Sequence, residues 1–305
     1  MKALGEGNPP PPRTHSWEES LAVAATKRRI GGFVKRYGWV YAVLAIPTLH
    51  FLVYRVYPVL RSLIMSFYDF RVFRSEWIGT TNYVRLFSDD IFWTSVWNTI
   101  YYTLGTVPSG LLVSLLLAAF IVTLPTGAQS LYKSAYYLPG VASAVVLALV
   151  WLWIFNPNVG LLNYLLSLVG LPPIRWLADP KWAMPAIIIM VLAGGQGLSI
   201  ILLSAAMNSI PRELYEAARI DGATPWREFR HITVPLVQPA VVYLLITGTI
   251  GAFQVFTNIY IMTAGGPGYA TMTIVYVIYR FALERLQYGV ASTMAVFLLI
   301  VTIAL

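Results

Sequence analysis

The chain has 305 residues, of which 58% are hydrophobic and 11% charged, with a net charge of +8 and a mean hydropathy of +0.67. Soluble domains carry roughly 25% charged residues, so one soluble core is excluded: it could not hide this much apolar surface from water. The absence of cysteine excludes disulfides and thiol chemistry, and basic residues dispersed among short segments exclude a nucleic-acid-binding face.

Residues 1–37 read as a separate tail. Gly7-Asn8-Pro9-Pro10-Pro11-Pro12 is disordered or polyproline-like. Its hydrophilic length argues against a cleavable signal peptide, so the first span is expected to be an uncleaved anchor. Lys27, Arg28, Arg29, Lys35 and Arg36 follow, and basic residues beside a span hold that end in the cytoplasm.

Uncharged runs locate the spans. Acidic and basic residues are absent from 37–54, 91–132, 134–174, 182–211, 232–279 and 286–305, and a span needs about 20 apolar residues. The expectation is an all-α integral membrane protein with six transmembrane helices near 38–58, 97–122, 135–155, 183–207, 237–262 and 287–305. Turn signals such as Asn156-Pro157-Asn158 and Gly265-Gly266-Pro267-Gly268 end helices within the longer runs. Six crossings place both termini and the 212–230 loop in the cytoplasm, with Thr80 and Gly268 outside. The membrane domain is expected over 38–305, with a core of about 92–305 and a cytoplasmic loop at 208–235.

The chemical inventory is mostly negative. There is no Gly-x-x-x-x-Gly-Lys phosphate loop, so the chain is not expected to bind ATP itself. His15, His50 and His231 lack metal-ligand spacing. His50 and Arg55 lie in or near the first span, where a snorkelling polar side chain is the plainer reading over a substrate role. No catalytic constellation of Ser, His and Asp or of paired carboxylates can be argued, which indicates a non-enzyme subunit. None of the expected spans contains Asp or Glu, which speaks against a proton- or sodium-coupled carrier. A membrane scaffold or receptor with no path is the remaining alternative from a different class.

The 208–235 loop has the chemistry of a helix-Gly-helix unit. Pro211 suits the first position of a helix running to Asp221, Gly222 suits a left-handed stop, and Thr224-Pro225 starts a second short helix. Ala217 and Ala218 leave the first helix without bulk, permitting close approach by a partner surface, while Glu216 and Asp221 can orient it. An ordinary helical connection between spans would have the same caps.

Glu216-Ala217-Ala218, Asp221-Gly222-Ala223, Phe229, Ile232 and Pro235 closely resemble the EAA loop of binding-protein-dependent ABC import permeases. Phe253, Phe256, Ile259-Tyr260, Thr263 and Gly265-Gly266-Pro267 resemble a segment of the first permease of maltose-type and glycerol-phosphate-type importers, and the likeness runs from about Pro58, through Asn82-Tyr83 and Asn98-Thr99, to the C-terminus. This implies the type I ABC importer permease fold in a bacterial or archaeal inner membrane. It also implies a second permease, two ATP-binding subunits that hold ATP-Mg, and an extracytoplasmic solute-binding protein. Glu216, Ala217, Ala218, Asp221, Gly222, Ala223 and Phe229 would then couple the chain to its ATPase. The implied cargo is a carbohydrate, with glycerol phosphate or another polar solute as the alternative.

A neutral sugar needs amide, hydroxyl and aromatic partners with little net charge. Ser143, Gln196, Ser199, Phe253, Gln254, Phe256 and Asn258 supply these in the third, fourth and fifth spans. The resemblance further implies that Gly140–Ala144, Val191–Leu198 and Gly251–Val255 face the path, which adds Gly195, Leu198, Ala252 and Val255. Gly194, Gly195 and Gly197 serve equally well for close helix packing. Trp151, Trp153 and Tyr260 read first as interfacial aromatics.

Overall fold

The computed structural model describes Leu21 and residues 39–304. The proline-rich tail, the basic cluster from Lys27 to Arg36, and Leu305 lie outside the described residues. The chain divides into two compact units, Met1–Arg61 and Ser62–Leu305.

In the first unit the helix α1 (Trp39–Met65) begins, and it runs on past the division. Trp39, Ile46, Leu49 and Tyr54 are all exposed. A helix that is apolar around its whole circumference belongs in lipid. A π-helical turn spans Leu52–Val56 and carries Arg55, and the His50 ring lies 4.7 Å from that of Tyr54.

The second unit starts with a feature absent from the all-helical expectation. Strands β1 (Tyr68–Arg71) and β2 (Arg74–Trp77) pair antiparallel, Tyr68 opposite Trp77, about a two-residue turn. Aromatic and polar residues alternate in Tyr68-Asp69-Phe70-Arg71, the period-2 signal of a strand. Asn82, in α2 (Thr81–Phe87), donates to the Ser66 and Tyr68 carbonyls at 3.0 and 2.9 Å and anchors the hairpin.

α3 (Asp90–Val122) is the spine of this unit. Asp89 caps it by accepting from the Ile91 N–H at 2.8 Å. It is followed by α4 (Thr126–Val141), α5 (Ala144–Ile154), α6 (Leu161–Leu168), α7 (Pro180–Gly194), α8 (Gly197–Asn208), α9 (Arg212–Ile220) and α10 (Pro225–Leu236). α11 (Gln238–Phe253), α12 (Thr257–Met262), α13 (Ile274–Tyr279) and α14 (Tyr288–Ala304) complete it. α3 packs against α7, α8 and α11. Its buried face carries Thr99, Thr103, Thr106, Gly110, Ser114 and Ala118, small residues three or four apart that let neighbouring helices approach.

Three expected spans are not continuous. The 135–155 helix breaks between α4 and α5 with a bend of 97°, where Ala142 and Ser143 are extended; Pro139-Gly140 weakens the helix just before it. The 183–207 helix breaks at Gly195-Gln196 with a bend of 47°. The 237–262 helix ends at Phe253 and restarts at Thr257, and a further 65° bend at its start separates α10 from α11. Among the described residues, two helices qualify singly as membrane spans, and each bent pair counted as one span gives up to five; α14 is a shorter apolar helix.

Gly197 explains the tight fit at the second break. A Cβ there would collide with the Tyr136 carbonyl oxygen and lie 2.6 Å from the Tyr137 Cα, so α8 meets the α4 backbone directly.

Candidate functional site

The three breaks converge on one cavity of about 400 Å³ in the second unit. Ala144 borders it from the first break, Gly195, Gln196 and Ser199 from the second, and Val255, Phe256, Thr257 and Asn258 from the third. α3 contributes Tyr102, Thr106 and Gly110, and α11 contributes Leu244, Gly248, Gly251 and Ala252. Backbone that leaves the helical ladder at membrane depth is tolerated only inside protein or along a polar cavity. No lining residue carries a formal charge. The wall offers amides, hydroxyls, two aromatic rings and small apolar surface.

Seven of the eleven expected path residues meet the cavity: Gly195, Gln196, Ser199, Ala252, Val255, Phe256 and Asn258. Ser143, Leu198 and Phe253 are not in its lining. The Ser143 side chain accepts from the Val146 N–H at 3.3 Å and caps α5. Leu198 is 64% exposed and lies on the other side of α8; one step along a helix turns a side chain by about 100°. Phe253 ends α11, so the break after it redirects the residues that follow. Gln254, weighed for the same role, is exposed at that break and also outside the lining. Tyr102 and Thr106 were missed, although the hydroxyl stripe of α3 shows their face in the sequence.

Phe256 extends the wall into an aromatic cluster. Its ring stacks on Tyr260 at 5.3 Å and lies 5.0 Å from Tyr279. Asn98 donates to the Tyr269 and Met272 carbonyls at 2.8 and 3.1 Å, and the Thr99 hydroxyl accepts from the Ile274 N–H at 3.0 Å. These bonds fasten the 269–274 segment below the cluster to α3.

The 208–235 loop is built largely as its residues indicate. Gly222 has φ +76°, the Ala223 N–H donates to the Ala218 carbonyl at 2.9 Å, and the Gly222 N–H donates to that of Arg219 at 3.1 Å. This pair of bonds is the Schellman stop, which needs a left-handed residue. Pro211 sits one position earlier than expected, at the cap of α9, and Thr224 precedes Pro225 without a side-chain capping bond. Glu216, Ala217, Ile220 and Asp221 are exposed, Ile220 at 87%, whereas Ala218, Ala223 and Phe229 are half-buried.

The two arms of the loop are clamped together. Arg219 donates through Nε and Nη2 to the two Glu228 carboxylate oxygens at 2.8 and 3.2 Å, and Tyr215 and Thr233 share a hydrogen bond of 2.9 Å. The bonds from Arg219 hold the Glu228 carboxyl below the usual carboxylate range, against desolvation, and the guanidinium charge adds to the lowering. A lowered folded value stabilises above the ordinary carboxylate pKa, and this stabilisation is lost as pH falls through the folded value. Glu228→Gln should therefore speed amide hydrogen exchange of α9 at neutral pH. The difference from the parent should shrink below about pH 4, and a pH-independent difference would deny the clamp its charge.

A family model for the inner membrane component of binding-protein-dependent transport systems matches residues 90–305. The chain belongs to that family. Its curated relatives include the lactose transport system permease protein LacF of Rhizobium radiobacter, 35% identical over 255 residues, covering 81% of this chain and 85% of that protein. The sulfoquinovosyl glycerol transport system permease protein SmoG of Agrobacterium fabrum is 36% identical over 244 residues, 79% of each. Among solved structures, a bacterial ABC transporter involved in import of the acidic polysaccharide alginate matches with a TM-score of 0.81 at 28% identity, over 90% of this chain and 95% of that one. The alginate transporter has also been solved in complex with an alginate pentasaccharide-bound periplasmic protein, with a TM-score of 0.80, 28% identity and coverage of 90% and 94%. The permease thus has the type I ABC importer fold, mostly helical, and is an inner-membrane transport subunit.

Proposed function

We propose that this permease forms half of the translocation path of a carbohydrate ABC importer, and that the cavity at the three helix breaks is its share of the substrate path. The observation that carries the reading is a wall with hydroxyls, amides and aromatic rings but no formal charge. Among the relatives named for a cargo, saccharide permeases outnumber the one named for sn-glycerol-3-phosphate, which supports a saccharide. A second permease would close the path. An external binding protein would deliver the ligand, as a periplasmic protein does for the alginate transporter. Two cytoplasmic subunits would bind ATP-Mg, this chain having no ATPase site. Glu216, Ala217, Ala218, Asp221, Gly222, Ala223 and Phe229 would meet one of them.

Uptake into proteoliposomes holding the assembled transporter tests the cargo. Saccharides should be taken up or should compete; competition by glycerol phosphate or another solute without a sugar ring, and by no saccharide, would overturn the carbohydrate reading.

We further propose six crossings, with α4–α5, α7–α8 and α11–α12 each crossing once and both termini in the cytoplasm. The tail is then residues 1–37, the membrane domain 38–305, and the coupling loop 208–235. Single cysteines enter this cysteine-free chain cleanly. An impermeant maleimide applied to wall-stripped cells should label cysteine at positions 80 and 268 and spare positions 20 and 223. Labelling at 223 would reverse the orientation.

A further inference from the structure

We propose that Ser114 and Gly110 are positioning residues that fix the Gln196 carboxamide at the cavity wall, and that its fixed orientation selects among polar cargoes. The inference rests on the carbohydrate reading above. Ser114 is fully buried in α3 and is not part of the cavity lining. Ser95, Thr99, Thr103 and Thr106 on the same helix donate back to carbonyls three or four residues earlier. Ser114 instead donates across to Gln196 Oε1 at 3.1 Å, at the break between α7 and α8.

The other end of the amide is held as well. Gln196 Nε2 donates to the Val191 carbonyl at 3.4 Å, and that carbonyl also accepts from the Gly195 N–H at 2.9 Å. The Ser114 hydroxyl can serve either end of an amide, but the Val191 carbonyl can only accept, so the nitrogen lies beside it and the oxygen toward Ser114. One N–H and one oxygen lone pair then remain at the cavity wall, a donor and an acceptor side by side, which suits the adjacent hydroxyls of a sugar. Gly110 leaves the room this needs: a Cβ there would lie 2.9 Å from both Nε2 and Oε1. An alanine would displace the flexible amide without touching backbone.

The test uses the assembled transporter in proteoliposomes, with binding protein loaded in turn with lactose, maltose, cellobiose and melibiose. Ser114→Ala leaves the wall residues in place. It should change the ratios of uptake rates across the panel by about fivefold, the effect of one hydrogen bond. Gln196→Ala should move the ratios the same way, and the double variant no further than Gln196→Ala alone, because both changes remove one arrangement. Gly110→Ala, which shifts only the end of a flexible side chain, should reproduce the change. A uniform loss of rate across the panel, or additive effects in the double variant, would overturn the proposal and leave Ser114 as packing. Failure of the parent transporter to move any saccharide would instead overturn the carbohydrate reading and the proposal with it.

Discussion

Gly222→Val should leave the permease inserted and able to dock loaded binding protein, while abolishing stimulation of ATP hydrolysis by that protein. Gly222 has φ +76°, and a Cβ there would meet open space, so the cost falls wholly on the backbone. A β-branched residue in the left-handed region costs about 1 kcal/mol or more, which favours unwinding the stop over unfolding the membrane domain. Without the stop, the bonds from Ala223 and Gly222 to the end of α9 are lost and α10 leaves at another angle. The exposed face of Glu216, Ala217 and Ile220 would then no longer be presented against the Arg219–Glu228 clamp. Glu216→Lys should weaken association with the ATPase by reversing a charge at the contact. Ligand-stimulated ATPase activity and co-purification of the ATP-binding subunit measure both effects. Normal coupling in both variants would reduce this loop to a connection.

Gly197→Ala should cause a large loss of stability. The added Cβ would run into the Tyr136 carbonyl and the Tyr137 Cα, and main-chain atoms cannot move aside as a rotamer can. Overpacking of this kind costs about 1–3 kcal/mol, and α4 would have to separate from α8 to relieve it. A lowered melting temperature in detergent is expected, with transport lost even from protein that remains folded, since the displaced α4 leads into the break beside Ala144. Gly194→Ala is the matched control. A Cβ there meets nothing within 4 Å, so a similar loss in that variant would mean that general helix flexibility, and not the close approach, governs this region.

The sequence disclosed punctuation better than packing. Gly222 and Pro225 read correctly because a left-handed stop and a helix start each require a particular residue type. The membrane class followed from uncharged runs, yet the same runs concealed the three breaks. Apolar residues on both sides of Ser143, Gln196 and Gln254 give no contrast, and Pro139-Gly140 and Gly194-Gly195 are tolerated in membrane helices as well as disruptive. The hairpin at 68–77 is too short to register in a search for spans of about 20 residues.

The site was legible where chemistry and position coincided. Gln196, Phe256 and Asn258 are suited to a sugar and lie on the cavity. Ser143 has suitable chemistry but is engaged as a helix cap, and Leu198 lies on the wrong side of α8. Tyr102 and Thr106 were overlooked because a hydroxyl stripe signals helix packing as readily as a path.

The central claim, that the helix breaks line the route of a saccharide, is tested most directly by paired cysteines on α8. Ser199 borders the cavity and its neighbour Leu198 does not. With the assembled transporter in membranes, a small neutral thiol reagent should modify Ser199→Cys, and a saccharide that the parent transports, delivered by its binding protein, should slow that reaction. The reaction at Leu198→Cys should be unchanged by the same saccharide. Equal protection at both positions, or none at 199 while transport continues, would contradict a path through this cavity.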